Sequence, residues 1–303
     1  MYLDELNRQR EKYQTEGNIL KEIKILREIL AETEKQYGIE SDEYIKALNE
    51  LGGTLKYVGY YDEAENNLKK SLEIIKKKYG DNNLAYATSL LNLTEVYRFA
   101  QKFNLLEEIL EKEWAYFSKL NNIGGRAACQ DNREDFIIMR KSQWETFNEE
   151  TLLSYLEDLN SKNNPLFQKY GQMMKYNSPQ EYEKVKDILD NPSKNKITLI
   201  EKIMSIYMEW EKEFFKKYPI FSSMGRPLYS TEDNNIETSI ETYLKGELLS
   251  YSEKTLQLYL KYIIEMKEKN INLAIKNMDN LASMQGFKNS DEVEEYYKNL
   301  QKN

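Results

Sequence analysis

A chain of 303 residues that is 40% hydrophobic and 31% charged, with 12 glycines and 5 prolines, is long enough for two ordinary domains and has the profile of a folded, helix-rich protein. Its net charge of −8 is spread evenly, with 16 basic and 21 acidic groups over residues 1–111 and 27 and 30 over the remainder, so neither half carries the basic excess of a phosphate-backbone binder and no nucleic-acid partner is expected. Histidine is absent and Cys129 is the sole cysteine, which excludes Ser-His and Cys-His nucleophile pairs, imidazole zinc sites and an internal disulfide.

Any catalysis left would use carboxylates, Lys, Tyr, Arg, an oxygen-bound metal or a brought-in cofactor, and the residues name no cofactor and assign no metal. The opening MYLDELNRQREK lacks the apolar stretch of a signal peptide, and no uncharged apolar run approaches the roughly 20 residues that span a bilayer. A cytoplasmic protein without a membrane partner is the expectation.

The first third repeats itself. YQTEGNILKEIKILREILAETEKQYG (13–38) lies over LKYVGYYDEAENNLKKSLEIIKKKYG (55–80) at an offset of 42, which brings Gly17 onto Gly59, Leu26 onto Leu68 and Tyr37-Gly38 onto Tyr79-Gly80. The same offset carries Leu48 onto Leu90, Leu51 onto Leu93 and Lys56 onto Arg98. Apolar residues at helical spacing on either side of a short glycine turn make each unit a pair of helices. About two and a half units fill residues 1–111, the last being LAYATSLLNLTEVYRFAQKFNLLEEILEKEW (84–114), and its final helix is expected to run on through Trp114 and Phe117 into a second domain over 112–303.

This pattern resembles the tetratricopeptide repeat, in the 42-residue form of kinesin light chains. The resemblance implies stacked helix pairs whose concave face binds peptides or other proteins. Lys56 and Arg98, equivalent positions away from the Leu48, Leu51, Leu55 stripe, are candidates for holding an acidic peptide or a chain terminus; two solvated cations are the plainer alternative.

Beyond residue 112 the repeat stops and all five prolines appear, separating expected helices at 132–148, 149–161, 165–176, 179–189, 195–217, 234–249 and 252–269. The fold class is therefore all-α: a short tetratricopeptide-type array packed on a globular helical domain. EWAYFSKLNNIGGRAACQ (113–130), MRKSQW (139–144), SYLEDL (154–159), KYGQMMKYNSP (169–179), KYP (217–219), GRP (225–227) and ETSIETYLKGELLSYSEKTL (237–256) together resemble a bacterial domain-of-unknown-function family, with Gln168 and Gln172 where that pattern would carry an acid and an arginine and Lys245 where it would carry an arginine.

Several residues of this domain are candidate ligand contacts. Gly124 and Gly125 allow a turn whose N–H groups could face an anion, with Arg126 for charge and Gln130 for a neutral hydrogen bond. Cys129 beside them is read as a small buried residue. Arg140 and Gln143 stand near Trp144, where a cation can stack on the indole. Arg226 is a further cation. Glu241 follows Glu237 by one turn with Lys245 in ion-pair range, while Tyr243, Glu247 and Tyr251 follow at spacings of four, and Ser250 with Glu253 forms an S-x-x-E box that would start a new helix. The pairs Trp114–Phe117, Trp144–Phe147 and Trp210–Phe214, and the Met173–Met174 pair, read as core. The function expected is a protein-binding repeat module joined to a helical domain that binds an anionic small molecule or peptide. The alternative is a carboxylate- or divalent-metal-dependent enzyme sited in the C-terminal domain.

Overall fold

Two glycines in the left-handed region, Gly17 at φ 67° and Gly59 at φ 80°, turn the chain between paired helices. The computed structural model describes residues 2–120, 126, 128–161, 164–234 and 237–301. Among these residues every regular element is helical, and the chain divides into two units, residues 1–104 and 105–303. No helix among them is long and apolar enough to cross a membrane.

The first unit contains α1 (Tyr2–Thr15), α2 (Ile19–Tyr37), α3 (Asp42–Leu55), α4 (Tyr61–Tyr79) and the start of α5 (Leu84–Phe117). Consecutive helices pack on one another from α1 to α4. Asn18 and Ser41 cap α2 and α3 by accepting a backbone N–H three residues on. The core joins Ile23 and Leu26 of α2, Leu51 and Leu55 of α3, Ala64 and Leu68 of α4, and Leu93 and Val96 of α5, and within it Leu26 meets Leu68 and Leu51 meets Leu93 under the 42-residue offset.

In the third unit the turn is missing. The offset puts Gln101 where Gly59 reverses the chain. Gln101 has no easy access to positive φ, and it lies with Ala100 among residues that favour helix. The helix therefore runs on for 34 residues, through Trp114 and Phe117. The inward face of the paired helix survives this change: Ala64, Leu68, Ser71 and Ile75, buried on α4, correspond to Leu106, Leu110, Glu113 and Phe117, all buried as well.

The second unit adds α6 (Arg133–Trp144), α7 (Glu149–Leu159), α8 (Pro165–Asn177), α9 (Pro179–Val185), α10 (Lys194–Lys217), α11 (Pro219–Ser223), α12 (Ile240–Ser250), α13 (Glu253–Glu268), α14 (Leu273–Met284) and α15 (Ser290–Leu300) to the end of α5. Its main core gathers Leu106, Ile109 and Leu110 with Trp144, Phe147, Tyr155, Ile203, Trp210, Tyr251 and Tyr259. Phe147 stacks on Tyr259 at 4.3 Å and Trp144 on Tyr155 at 4.3 Å. A smaller cluster joins Phe214, Tyr218 and Phe221 to Ala282 and Val293. Trp144 and Trp210 are core residues, whereas Trp114 is half-buried against Phe117 and Phe136. Met173 is buried in packing.

Two local expectations change. Helix α12 begins at Ile240 with Ser239 as its cap, so Glu237 precedes the helix rather than sharing a stripe with Glu241. The next helix is capped by Ser252, which accepts the Thr255 N–H, and Ser250 instead donates to the Glu247 carbonyl at the end of α12. Gln168 and Gln172 clamp the backbone of one residue, the Asp190 N–H and C=O, against α8.

The turn glycine is testable. Nothing lies within 4 Å of a Cβ built on Gly59, so Gly59→Ala carries only the backbone cost of positive φ, about 1 kcal/mol. Urea unfolding should show that loss, while Gln101→Ala, inside a helix, should leave the midpoint unchanged.

Candidate functional site

Four charged side chains sit on the apolar stripes of four helices. Glu113 continues the Leu106, Ile109, Leu110 row of α5, Arg140 lies between Ile137 and Trp144 on α6, Lys169 between Leu166 and Met173 on α8, and Glu247 between Leu244 of α12 and Tyr251 just past its end. Spacings of three and four aim each one inward. Their exposures are 0, 4, 1 and 2% respectively. A buried charge is tolerable only when paired and fully hydrogen-bonded.

Arg140 is the hub. Its Nε and Nη2 donate to the two oxygens of Glu113 at 2.9 and 2.6 Å, and Nη1 and Nη2 donate to Glu247 at 3.1 and 2.8 Å. Nη1 also donates to Gln143 Oε1 at 2.8 Å, which engages all five N–H bonds of the guanidinium. Lys169 Nζ donates to Glu247 Oε2 at 2.9 Å. The carboxylates are completed by neutral donors: Trp144 Nε1 and the Tyr155 hydroxyl on Glu113, Gln143 Nε2 and the Tyr251 hydroxyl on Glu247. Arg140 also lies over the Trp144 ring at 4.8 Å. Gly246 makes room for this arrangement, since a Cβ there would collide with Met173 and crowd the Lys169 carbonyl, holding Glu247 and Lys169 apart.

Two acids and two bases leave the cluster neutral as a whole, and each partner fixes the charge of the next. Burial works against the Arg140 charge, but Glu113 and Glu247 outweigh it and hold the guanidinium well above its usual range. Burial would raise the Glu247 carboxyl, yet Arg140 and Lys169 hold it well below the usual carboxylate range. Burial, reinforced by these carboxylates, pushes Tyr155 and Tyr251 far up, so both stay neutral donors.

Where the cluster approaches the surface the balance differs. Tyr243, half-buried on α12, has Lys169 Nζ at 3.9 Å and the Arg226 guanidinium at 4.7 Å from its ring centre. Burial opposes ionisation of its phenol, but Lys169 and Arg140 bring it below the ordinary tyrosine range. Arg226 is exposed and donates one hydrogen bond, to the Thr238 carbonyl at 3.0 Å.

Of the candidate ligand contacts, Arg140, Gln143, Glu247 and Tyr251 meet in the closed cluster, and Tyr243 and Arg226 form its edge. Glu241 stands apart and accepts the Ser230 N–H at 2.8 Å, while Lys245 lies over Tyr176 rather than pairing with Glu241. Arg126 and Gln130 serve the end of α5: Gln130 donates to the Phe117 and Leu120 carbonyls, and Arg126 to the Ser118 and Gln130 carbonyls and to Asp131. They satisfy orphan acceptors at a helix C-terminus, the opposite polarity from an anion corner. Gly124 and Gly125 lie outside the described residues. Cys129 is exposed, not buried as expected. In the first unit, Lys56 and Arg98 come together over one ring, Phe99, at 5.7 and 5.0 Å; Lys56 is buried, not solvated, and Arg98 pairs with Glu95.

Outside the cluster one buried carboxyl has no counter-ion raising or lowering it. Glu211 of α10 is pushed up from 4.5 to about 8 by burial alone.

These assignments have measurable consequences. Arg140→Met leaves two carboxylates buried opposite Lys169 alone and should cost about 3–5 kcal/mol, read as a lowered denaturation midpoint. For Glu211 the folded state keeps a proton that the unfolded state releases above pH 4.5, so stability falls as pH rises towards about 8, by up to about 1.4 kcal/mol per unit. Glu211→Gln should flatten that slope. For Glu247 the sign is reversed: its folded value is depressed, so its stabilisation is present above the ordinary carboxyl range and is lost as pH falls through it.

Residues 103–295 match the family described as protein of unknown function (DUF4125), and residues 43–112 match the tetratricopeptide repeat. No curated protein and no solved structure matches the chain. The longer match takes in every residue of the buried cluster and more than half of the sequence, and the chain thus belongs to the DUF4125 family, with tetratricopeptide repeats preceding the family's domain.

Proposed function

We propose that the repeat array captures a protein partner and that the DUF4125 domain binds an anionic small molecule or peptide at the Tyr243 edge of its buried cluster. The observation that carries the second half is the placement of Tyr243, half-buried between Lys169 and the exposed Arg226. Arg140 has no N–H to offer a ligand, because all five are engaged inside. Attraction for an anion is therefore concentrated at Arg226, with the Lys169 charge behind the ring.

For the array, support comes from the repeat family, whose stacked helix pairs serve recognition. Lys56 and Arg98 around Phe99, beside the exposed ring of Tyr57, make a cation and aromatic patch suited to an acidic peptide. Glu95, already paired with Arg98, occupies the position a partner carboxylate would take. A single, exposed Cys129 fits the reducing cytoplasm as the compartment.

The carboxylate- or metal-dependent enzyme draws no support from this geometry. Glu247 is bound by Arg140 and Lys169, Glu241 accepts a backbone N–H, and among the described residues no three acidic or cysteine side chains gather in a way that could hold a metal.

Thermal unfolding of the full chain with inorganic phosphate, citrate and an acetylated oligo-glutamate peptide tests the domain. At about a hundred times Kd one of them should stabilise the fold by roughly 2.7 kcal/mol, and Arg226→Gln should remove the effect; no shift with any of the three sinks the anion reading. For the array, Arg98→Glu on the immobilised full chain should reduce retention of lysate proteins while leaving the melting temperature in place. Unchanged retention counts against that patch.

A further inference from the structure

The internal repeat says what should cover the first half of α5, and the row it would cover is exposed. On α3 the row Ile45, Leu48, Gly52 and Leu55 is buried, with Leu48 at 1% and Leu55 at 0% exposure. Gly52, in the middle of that row, lies directly against Leu68 and Ala64 of the paired helix α4. The 42-residue offset carries this row onto Ala87, Leu90, Thr94 and Tyr97 of α5, and all four are exposed, Leu90 at 47% and Tyr97 at 46%. Leu91 at 64% and Leu84 at 83% widen the apolar strip.

The covering helix has not been lost from the chain. Its sequence is the second half of α5, and the residues that would lie on this row, Leu106, Leu110, Glu113 and Phe117, are buried in the second unit, where Leu106 and Leu110 join the aromatic core and Glu113 balances Arg140. The same buried pattern appears on α4 at Ala64, Leu68, Ser71 and Ile75. The missing cover is thus defined chemically, as an amphipathic helix with small or apolar residues at i, i+4, i+7 and i+11.

We propose that the row Ala87, Leu90, Thr94 and Tyr97, widened by Leu91, is a docking surface for an amphipathic helix of a partner protein, which completes the third repeat in place of the chain's own helix. This rests on the protein-binding reading of the array and names the partner's chemistry and its seat. Docking of an apolar helix face into a matching surface is a standard recognition mode, with anchors at i, i+4 and i+7. In a second copy the helix with this pattern is committed in the same way, its residues 106, 110, 113 and 117 being buried.

The probe is a fluorescein-labelled, amidated peptide of residues 103–119, FNLLEEILEKEWAYFSK, titrated into the full chain and followed by anisotropy. Saturable binding is expected, weakened about tenfold by Leu90→Arg or by Leu91→Arg in the protein, and abolished by Leu106→Asp with Leu110→Asp in the peptide. Both protein positions are exposed, so the variants should melt with the parent and report the surface rather than the fold. Absence of binding, or binding indifferent to both substitutions, overturns the proposal. So does a dimer by light scattering that Leu90→Arg dissociates, since the second copy would then hold the strip. If the peptide fails while Arg98→Glu still reduces partner retention, this seat is wrong and the protein-binding reading of the array stands.

Discussion

Charge neutrality inside an apolar core is the constraint on which the second unit depends. Glu113, Arg140, Glu247 and Lys169 come from four different helices and form one chain of hydrogen-bonded ion pairs in that order at near-zero exposure. Desolvating any one of them without its partners costs several kcal/mol, comparable with the whole stability of an ordinary domain. The rotation of α5, α6, α8 and α12 about their axes is therefore tied together: turning any of the four withdraws a charge from the set. Close contact of α12 with α8 at Gly246 and the aromatic shell of Trp144, Tyr155 and Tyr251 meet that demand with shape and with neutral donors.

A saturated cluster is a poor binding site and a good foundation for one. Every N–H of Arg140 points at an internal acceptor, so the arrangement is rigid and has no capacity for a ligand. Its field still reaches outward through Lys169 to Tyr243, whose phenol ionises more readily than usual under the charges of Lys169 and Arg140. Chemistry that the core cannot offer is concentrated at that edge, where Arg226 meets water.

Much of this architecture is legible in the sequence. The 42-residue offset and its turn glycines give helix pairs directly, because positive φ at Gly17 and Gly59 is a local requirement with a local signature. Arg140, Gln143, Glu247 and Tyr251 stand out as polar residues in apolar company. Glu113, Lys169 and Tyr155 were equally visible in principle: Leu106, Ile109, Leu110, Glu113 and Phe117 form a helical stripe with an acid inside it. What no local pattern contains is convergence, since the partners are separated by up to 134 residues, from Glu113 to Glu247. The corner at Arg126 and Gln130 reads differently for a related reason. Its donors answer carbonyls at the end of α5, and sequence alone does not tell a helix end that needs donors from a helix start that supplies them.

Helix α5 also bears on how such a chain can grow. Residues 103–117 carry the pattern of a repeat's second helix, yet their inward face is committed to the core that contains Arg140. The same residues cannot both close a third hairpin and deliver the Glu113 carboxylate. Duplication of further 42-residue units is thus open only upstream of α5, and the array can lengthen at its N-terminal end alone without withdrawing a counter-charge from the domain that follows.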